Sequence, residues 1–531
     1  MAFSADPIPT PAASAAGRPV VFYVLLFLAG MVALWAVLCG ISHKSPDLDN
    51  MEELVWASSF EWGYYKHPPV PAWFMYGLAS VFGKPIWLTF LAGQLFSALA
   101  LWFVWKLGCE FTTPRRALIA MLLVSVTAYF SVRATMYNHN SVQMWSIVAS
   151  TWLYYRALRY GRASDWLWLG AACGMAFITK YSALIQFAAF FLFFLRQGHW
   201  RDRAALRGVP LALLTFLLVI APHVYWLFQH AFEPLHYADE SIVPGGDPQF
   251  SVMSDIWGFL TTQLGRLSPM LVAWIALYAW NRRAASKTAK TSAPTAAGAA
   301  APRYAQELSA WDRSFLLIVG IGPVVLTVLV SGALGTRLGS SWASTFFVLF
   351  GFYAYWWLRG DEHAMLRRTA IVIVAIQMLM AVGYAIGRGP LAYYTGRKTD
   401  STYPGKQISL QMQDIWHQYV PGAPLTLVVA DTWLGGNIAV HVRPSANVFI
   451  DGSLRESPWL KSSDPTRCGA LVAYSTADHS SGPSPAVRRL YEQAPYKGVL
   501  QQRWSTQKSP MIVVHWGIIP PQPDCPARPA H

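Results

Sequence analysis

The feature that constrains this chain most is a run of apolar residues long enough to cross a bilayer, repeated again and again between Val20 and Gly387. A membrane core needs about 20 such residues per helix. The runs are Val20–Ile41, Ile86–Leu107, Ala117–Thr135, Val142–Leu158, Trp166–Ile178, Ala183–Leu195, Val209–Phe228, Pro269–Trp280, Phe315–Leu334, Ser341–Leu358 and Thr369–Ile386. They predict a polytopic α-helical membrane protein with about eleven transmembrane helices. Charge density agrees: 13% of the 531 residues are charged, about half the usual soluble share. Aromatics reach 15%, with 25 Trp, which excludes disorder for most of the chain. The first run is too long for a signal peptide and has no small-residue cleavage site, so it reads as a true helix.

Basic residues set the expected direction. The formal charge is +14, which in a soluble protein would suggest nucleic acid. Here the excess sits in alternate loops: Lys106, Arg115 and Arg116; Arg156, Arg159 and Arg162; Arg196, Arg201, Arg203 and Arg207; Arg282, Arg283, Lys287 and Lys290; Arg359, Arg367 and Arg368. All fall on one side, and lysine and arginine are retained on the cytoplasmic side. The expectation is a membrane protein with a cytoplasmic N-terminus and no nucleic-acid partner.

The domain boundaries follow. Residues 1–18 read as a disordered cytoplasmic N-terminus and 19–387 as the transmembrane domain. Within it, 42–69 form the first periplasmic loop and 281–312 a cytoplasmic linker, low in complexity over Ala284–Pro302. Residues 388–531 read as a periplasmic α/β domain. Its expected strands are Leu425–Ala430, Asn447–Ile450, Ala470–Tyr474 and Met511–Trp516, with helices at Ile408–Tyr419 and Ala486–Gln493. Cys468 and Cys525 lie on the oxidising side, where a disulfide is permitted.

The outside loops hold the chemistry. The first contains Asp47, Asp49, Glu52 and Glu53, then Trp62-Gly63-Tyr64-Tyr65-Lys66-His67-Pro68-Pro69. A carboxylate held at the membrane face can act as a general base on a hydroxyl or amine; the plainer reading of such residues is solvation, which we favour for Glu61. Asn138, His139 and Asn140 end the third run, Lys180 and Tyr181 sit in a tight turn, and His223 lies in the seventh run. Arg266 precedes the eighth run and Arg337 follows the ninth. Ionisable groups at membrane depth are costly and are functional candidates by default. For Arg133 the favoured reading is snorkelling to lipid headgroups.

These residues resemble a family. Leu48-Asp49 followed by the Gly-Tyr-Tyr-x-His-Pro-Pro run is similar to the first outside loop of bacterial GT-C membrane glycosyltransferases, relatives of protein O-mannosyltransferases and of transferases that add aminoarabinose to lipid A. Tyr137-Asn138-His139-Asn140, Thr179-Lys180-Tyr181, Pro222-His223-Val224-Tyr225-Trp226, Arg337-Leu338-Gly339-Ser340-Ser341-Trp342 and Asp431-Thr432-Trp433 support it. The resemblance implies transfer of a sugar from an undecaprenyl-phosphate donor to a periplasmic acceptor, with inversion. It makes Asp49 the base. It makes Lys66, His67, Lys180, Arg266 and Arg337 candidate ligands of the donor phosphate. Glu52, Glu53, Tyr64, Tyr65, Asn138, His139, Asn140, Tyr181 and His223 are candidate acceptor or sugar contacts. The family often has Asp-Glu where this chain has Asp49-Asn50, and an Asp where it has Asn140. No cofactor is certain; a divalent metal would be compatible with the chemistry, but no ligand set has diagnostic spacing and no metal site is assigned. The competing reading is a transporter or flippase, which predicts charges near the midplane in two repeated halves. No internal repeat is visible, and the charges cluster at one face.

Overall fold

The structure, a computed structural model, describes residues 17–242, 250–291, 308–358, 361–476, 479 and 482–523. Its first part is a helix bundle: α1 (Gly17–Ser42), α2 (Leu48–Trp56), α3 (Val70–Phe82), α4 (Trp87–Phe111), α5 (Pro114–Ser125), α6 (His139–Tyr160), α7 (Ala163–Phe177), α8 (Ala183–Arg196), α9 (Arg203–Gln229), α10 (Glu233–Ile242), α11 (Val252–Thr291), α12 (Ala310–Leu334), α13 (Phe350–Trp356) and α14 (Glu362–Ile386). Five of these, α1, α4, α9, α12 and α14 with the turns after it, are long and apolar enough by length and composition to cross a membrane. Each of the eleven expected runs falls on helix. Two of them are broken. Ala117–Thr135 is α5 followed by a turn and the 3-10 helix Val132–Thr135, and Ser341–Leu358 is the 3-10 helix Ser340–Thr345 plus α13. Every residue of α5 from Ala117 to Ser125 is buried by its neighbours. Irregular backbone is tolerated at membrane depth where protein encloses it.

Local sequence sets the helix ends. Thr113 caps α5 by accepting from the Arg116 N–H, and Pro114 opens it. Asn138 and Ser141 form a capping box at the start of α6, and Gly161 closes α6 in the left-handed conformation. Small residues let α7 and α9 touch: a Cβ on Gly170 would run into the Ala212 carbonyl and the Thr215 hydroxyl. At the basic end of the bundle, Arg156 bridges Glu110 (2.9 Å) and Asp165 (3.1 Å), and Arg115 and Arg116 meet Glu362. The expected linker begins later than predicted, because α11 runs on to Thr291. The rest of it, and most of residues 1–18, lie outside the described residues, as do Arg359 and Cys525. Cys468 is disulfide-bonded.

After α14 the chain makes a π-helical turn (Gly387–Leu391) and enters the second part. This part contains α15 (Ala392–Tyr394), α16 (Gly405–Tyr419), α17 (Thr432–Ala439), α18 (Asp464–Arg467) and α19 (Pro485–Gln493). Its five strands are β1 (Leu427–Ala430), β2 (Asn447–Ile450), β3 (Ala470–Ser475), β4 (Tyr496–Arg503) and β5 (Met511–Ile519), ordered β2-β1-β3-β5-β4. β1, β2 and β3 are parallel, with Val428 opposite Val448; β5 runs antiparallel to β3 and β4. The four expected strands are present. β4 was not expected, because as a largely exposed edge strand it reads Tyr-Lys-Gly-Val-Leu-Gln-Gln-Arg, without an apolar run.

The sheet domain shares a core with the segment between α1 and α3. Met51, Leu54, Trp56 and Tyr64 pack in one cluster with Trp433, Leu434 and Val448. Polar links reinforce the joint: the Ser45 hydroxyl donates to Asn437 (2.6 Å), and Arg455 pairs with Glu233. The loop carrying Asp49 is therefore clamped between bundle and sheet domain.

Candidate active site

Asp49 lies in the first turn of α2, where the helix dipole favours an anion. It is half-buried. Its Oδ2 accepts from the Asn138 side-chain amide at 2.7 Å. That amide has a determined orientation, because Asn138 Oδ1 is occupied by the N–H groups of Asn140 and Ser141. The capping box of α6 thus aims an N–H pair at Asp49. The next side chain along, Asn140, accepts from the Lys180 ammonium at 2.6 Å. Lys180 feels the Asp49 carboxylate and lies 5.6 Å from the Trp342 ring. Burial pulls its ammonium down to about 8, against the field of Asp49.

Asn50 has a different task. Its amide donates to Thr89 Oγ1 and to the Thr135 carbonyl, and its carbonyl accepts from the Tyr137 N–H. Where the family often has a second carboxylate, this chain has a fully satisfied, buried clamp joining α2, α4 and the start of α6.

The other predicted residues fall into three groups. The first surrounds Asp49. Lys66 pairs with Glu52 at 2.6 Å. Burial alone would lower the Lys66 ammonium; the Glu52 carboxylate and Tyr65 outweigh it and push it up. The Tyr65 ring lies 5.1 Å from that ammonium. The His67 ring lies tilted 4.1 Å from His139 and meets Tyr237 edge-on at 5.5 Å. Burial, with His139, Lys180 and Lys66 nearby, holds His67 well below the usual imidazole range. These surroundings work against a positive charge on His67. Glu53 faces His139 at 3.4 Å.

The second group is structural in its contacts. The Tyr64 hydroxyl donates to the Ser59 carbonyl (2.7 Å), and its ring stacks on Trp56. The Tyr181 hydroxyl lies 2.8 Å from His223 Nε2, and His223 Nδ1 lies 2.6 Å from the Trp62 carbonyl. A carbonyl only accepts, so Nδ1 carries the proton and Nε2 accepts from Tyr181. This chain of bonds straps the Trp62–Tyr64 segment to α9. Gly63 is required there, because a Cβ would strike the Trp226 indole, 2.5 Å from its Cζ3.

The third group is Arg266 and Arg337. Arg266, on α11, donates to the Ser340 carbonyl and hydroxyl. Ser340 opens the 3-10 helix that also carries Trp342, so this turn joins Arg266 to the Lys180 side of the site. Arg337 lies over the Phe250 ring at 5.5 Å, and its backbone N–H donates to Ile242.

Two contributions were not read from sequence. Asp451 and Glu456, in the sheet domain, feel the Lys66 ammonium. Both lie hundreds of residues from the loop they approach, and no spacing rule links such positions. Asp47 pairs with Arg388 of the π-helical turn at 2.9 Å. Among the described residues, no three His, Cys, Asp or Glu side chains gather to hold a metal ion.

The chain is similar to several known proteins. A family model described as dolichyl-phosphate-mannose-protein mannosyltransferase matches residues 66–226. Lipopolysaccharide core galacturonosyltransferase RgtA of Rhizobium johnstonii is 22% identical over 441 residues, covering 80% of this chain and 81% of the relative. Lipid A galacturonosyltransferase RgtD of the same organism is 22% identical over 215 residues, 39% of this chain and 43% of the relative. The crystal structure of ArnT from Cupriavidus metallidurans bound to undecaprenyl phosphate superposes with a TM-score of 0.61 at 14% identity, covering 94% of this chain and 98% of that one. The apo structure of the same enzyme gives 0.62, also at 14% identity and with the same coverage of both chains. The chain therefore has the GT-C fold and resembles the bacterial membrane glycosyltransferases built on it.

Proposed function

We propose that the protein transfers a sugar from a polyprenyl-phosphate carrier, undecaprenyl phosphate in a bacterial inner membrane, to an acceptor on the periplasmic side. The observation that carries this reading is the pairing of Asp49 with Lys180 through two neutral amides, Asn138 and Asn140. A base and a cation sit side by side, yet neither is quenched by a direct ion pair with the other. Relatives named as lipopolysaccharide core and lipid A galacturonosyltransferases, and a like-folded enzyme seen with undecaprenyl phosphate, support a lipid-linked donor and a glycolipid acceptor. N-terminus cytoplasmic and sheet domain periplasmic is the orientation that fits.

The reaction is a single displacement. Asp49 accepts the proton of the acceptor hydroxyl as its oxygen bonds to the anomeric carbon. The bond from that carbon to the phosphate oxygen breaks, and its electrons leave with the polyprenyl phosphate. The configuration inverts. Negative charge builds on the phosphate, and a cation fixed in place beforehand stabilises it most in the transition state. Lys180 fills that role; Lys66 is already neutralised by Glu52. The test is mass spectrometry of envelope glycolipids from a strain lacking the protein. A missing sugar on lipid A or core supports the reading; an unchanged glycolipid profile, with unchanged polysaccharide and protein glycosylation, rejects it.

A further inference from the structure

Glu53 is the least solvated carboxyl of the loop, with 2% exposure, and the mechanism does not use it. Its Oε2 is buried without a hydrogen-bond partner, and its Oε1 lies 3.4 Å from His139 Nδ1. The other nitrogen of His139, Nε2, is 3.0 Å from the Pro68 carbonyl. That carbonyl only accepts, so Nε2 carries a proton, and in the neutral ring Nδ1 presents a lone pair to Glu53. The two tyrosines that face Glu53 have spent their hydroxyl protons elsewhere. Tyr137 donates to Pro71 and Tyr64 to Ser59, at 2.7 Å each. The remaining charged neighbours oppose an ion pair. Asp49 and Glu52 repel a negative Glu53, while Lys66 and Lys180 repel a positive His139.

We propose that Glu53 is a protonated positioning residue, a carboxylic acid whose O–H points to His139 Nδ1 and so holds the Pro68 carbonyl, and the Lys66–His67 segment before it, without adding charge. Burial first, then the Glu52 and Asp49 carboxylates, raise the Glu53 carboxyl well above its ordinary range. A neutral acid suits this place: a further anion would repel the donor phosphate and disturb the base four residues earlier. The idea rests on the transfer reading for its purpose, while the protonation state rests on the contacts and charges around Glu53.

The experiment is infrared difference spectroscopy of the purified full-length protein, wild type against Glu53→Gln. The expected result is a protonated carboxylic-acid C=O band in the wild type that persists well into the alkaline range and is absent from the variant. Absence of that band overturns the proposal, whether or not transfer activity has been found. If Glu53→Gln does not fold, His139→Leu serves instead: loss of the acceptor shifts the same band to higher frequency, and an unmoved or missing band overturns the proposal. Kinetics add a second readout. Gln also donates to Nδ1, so Glu53→Gln keeps kcat/KM within about threefold, whereas Glu53→Ala loses about tenfold or more, chiefly in KM for the lipid donor. Equal loss in both variants, with both folded, means the anion is needed and contradicts the proposal.

Discussion

The arginine network at the basic end of the bundle and the Asp49–Lys180 pair at the other treat charge in opposite ways. At the basic end, Arg156 is met directly by Glu110 and Asp165, and Arg115 and Arg116 share Glu362. Tyr160 and Trp152 add hydrogen bonds to Glu110. Each of these charges meets an opposite charge directly. At the other end, Asp49 and Lys180 are each held by an asparagine amide. A neutral amide fixes a charged group in space but leaves its charge unspent. Direct pairing makes a joint; amide holding makes a site. Within the same loop as Asp49, Lys66 is held in the direct manner, by Glu52.

If this contrast is right, Lys180→Met costs about 10²–10³-fold in transfer rate, the scale of losing one fixed electrostatic contact to developing charge. A radiolabelled lipid-donor assay measures it; a rate within a few-fold of wild type would mean that Lys180 is only a membrane-rim lysine. The pH profile sharpens the same point. Lys180 carries its charge below about 8 and loses it above. KM for the donor therefore rises as pH increases through that value, and Lys180→Arg removes this alkaline limb because arginine stays charged.

Asn50→Ala separates structure from chemistry next to the base itself. It breaks three buried hydrogen bonds, for about 2–4 kcal/mol at the usual 0.5–1.5 each. Thermal unfolding in detergent reports the loss, and activity per folded molecule changes less than in Lys180→Met. Arg156→Ala has the smallest expected effect. Its network is partly solvated, with the arginine side chain 21% exposed, so the cost is about 1–3 kcal/mol, below that of a fully buried pair. Turnover of the folded fraction stays near wild type. A loss of turnover without a loss of stability would break the division between the two ends.

Much of this was readable in the sequence because it is periodic or local. The apolar runs became helices, alternate loops carried the basic residues, and the motif from Trp62 to Pro69 lies in the clamped loop beside Asp49. The rest depends on contacts across the chain. Asn50 reads in one dimension only as a departure from the family's Asp-Glu; its partners Thr89, Thr135 and Tyr137 reveal a clamp. Tyr181 and His223 have the residue types of a binding site, and their hydrogen bonds to each other and to Trp62 make a strap. The approach of Asp451 and Glu456 to Lys66 leaves no trace in spacing, because the fold of a separate sheet domain brings them there.

The most direct test of the account is sugar transfer by the purified protein in proteoliposomes holding a labelled polyprenyl-phosphate donor, wild type against Asp49→Asn. Asparagine keeps the shape and gives up the base, so the account predicts transfer by the wild type and a loss of about 10²–10⁴-fold in the variant, with unchanged thermal stability. Transfer at the wild-type rate by a folded Asp49→Asn protein would contradict it.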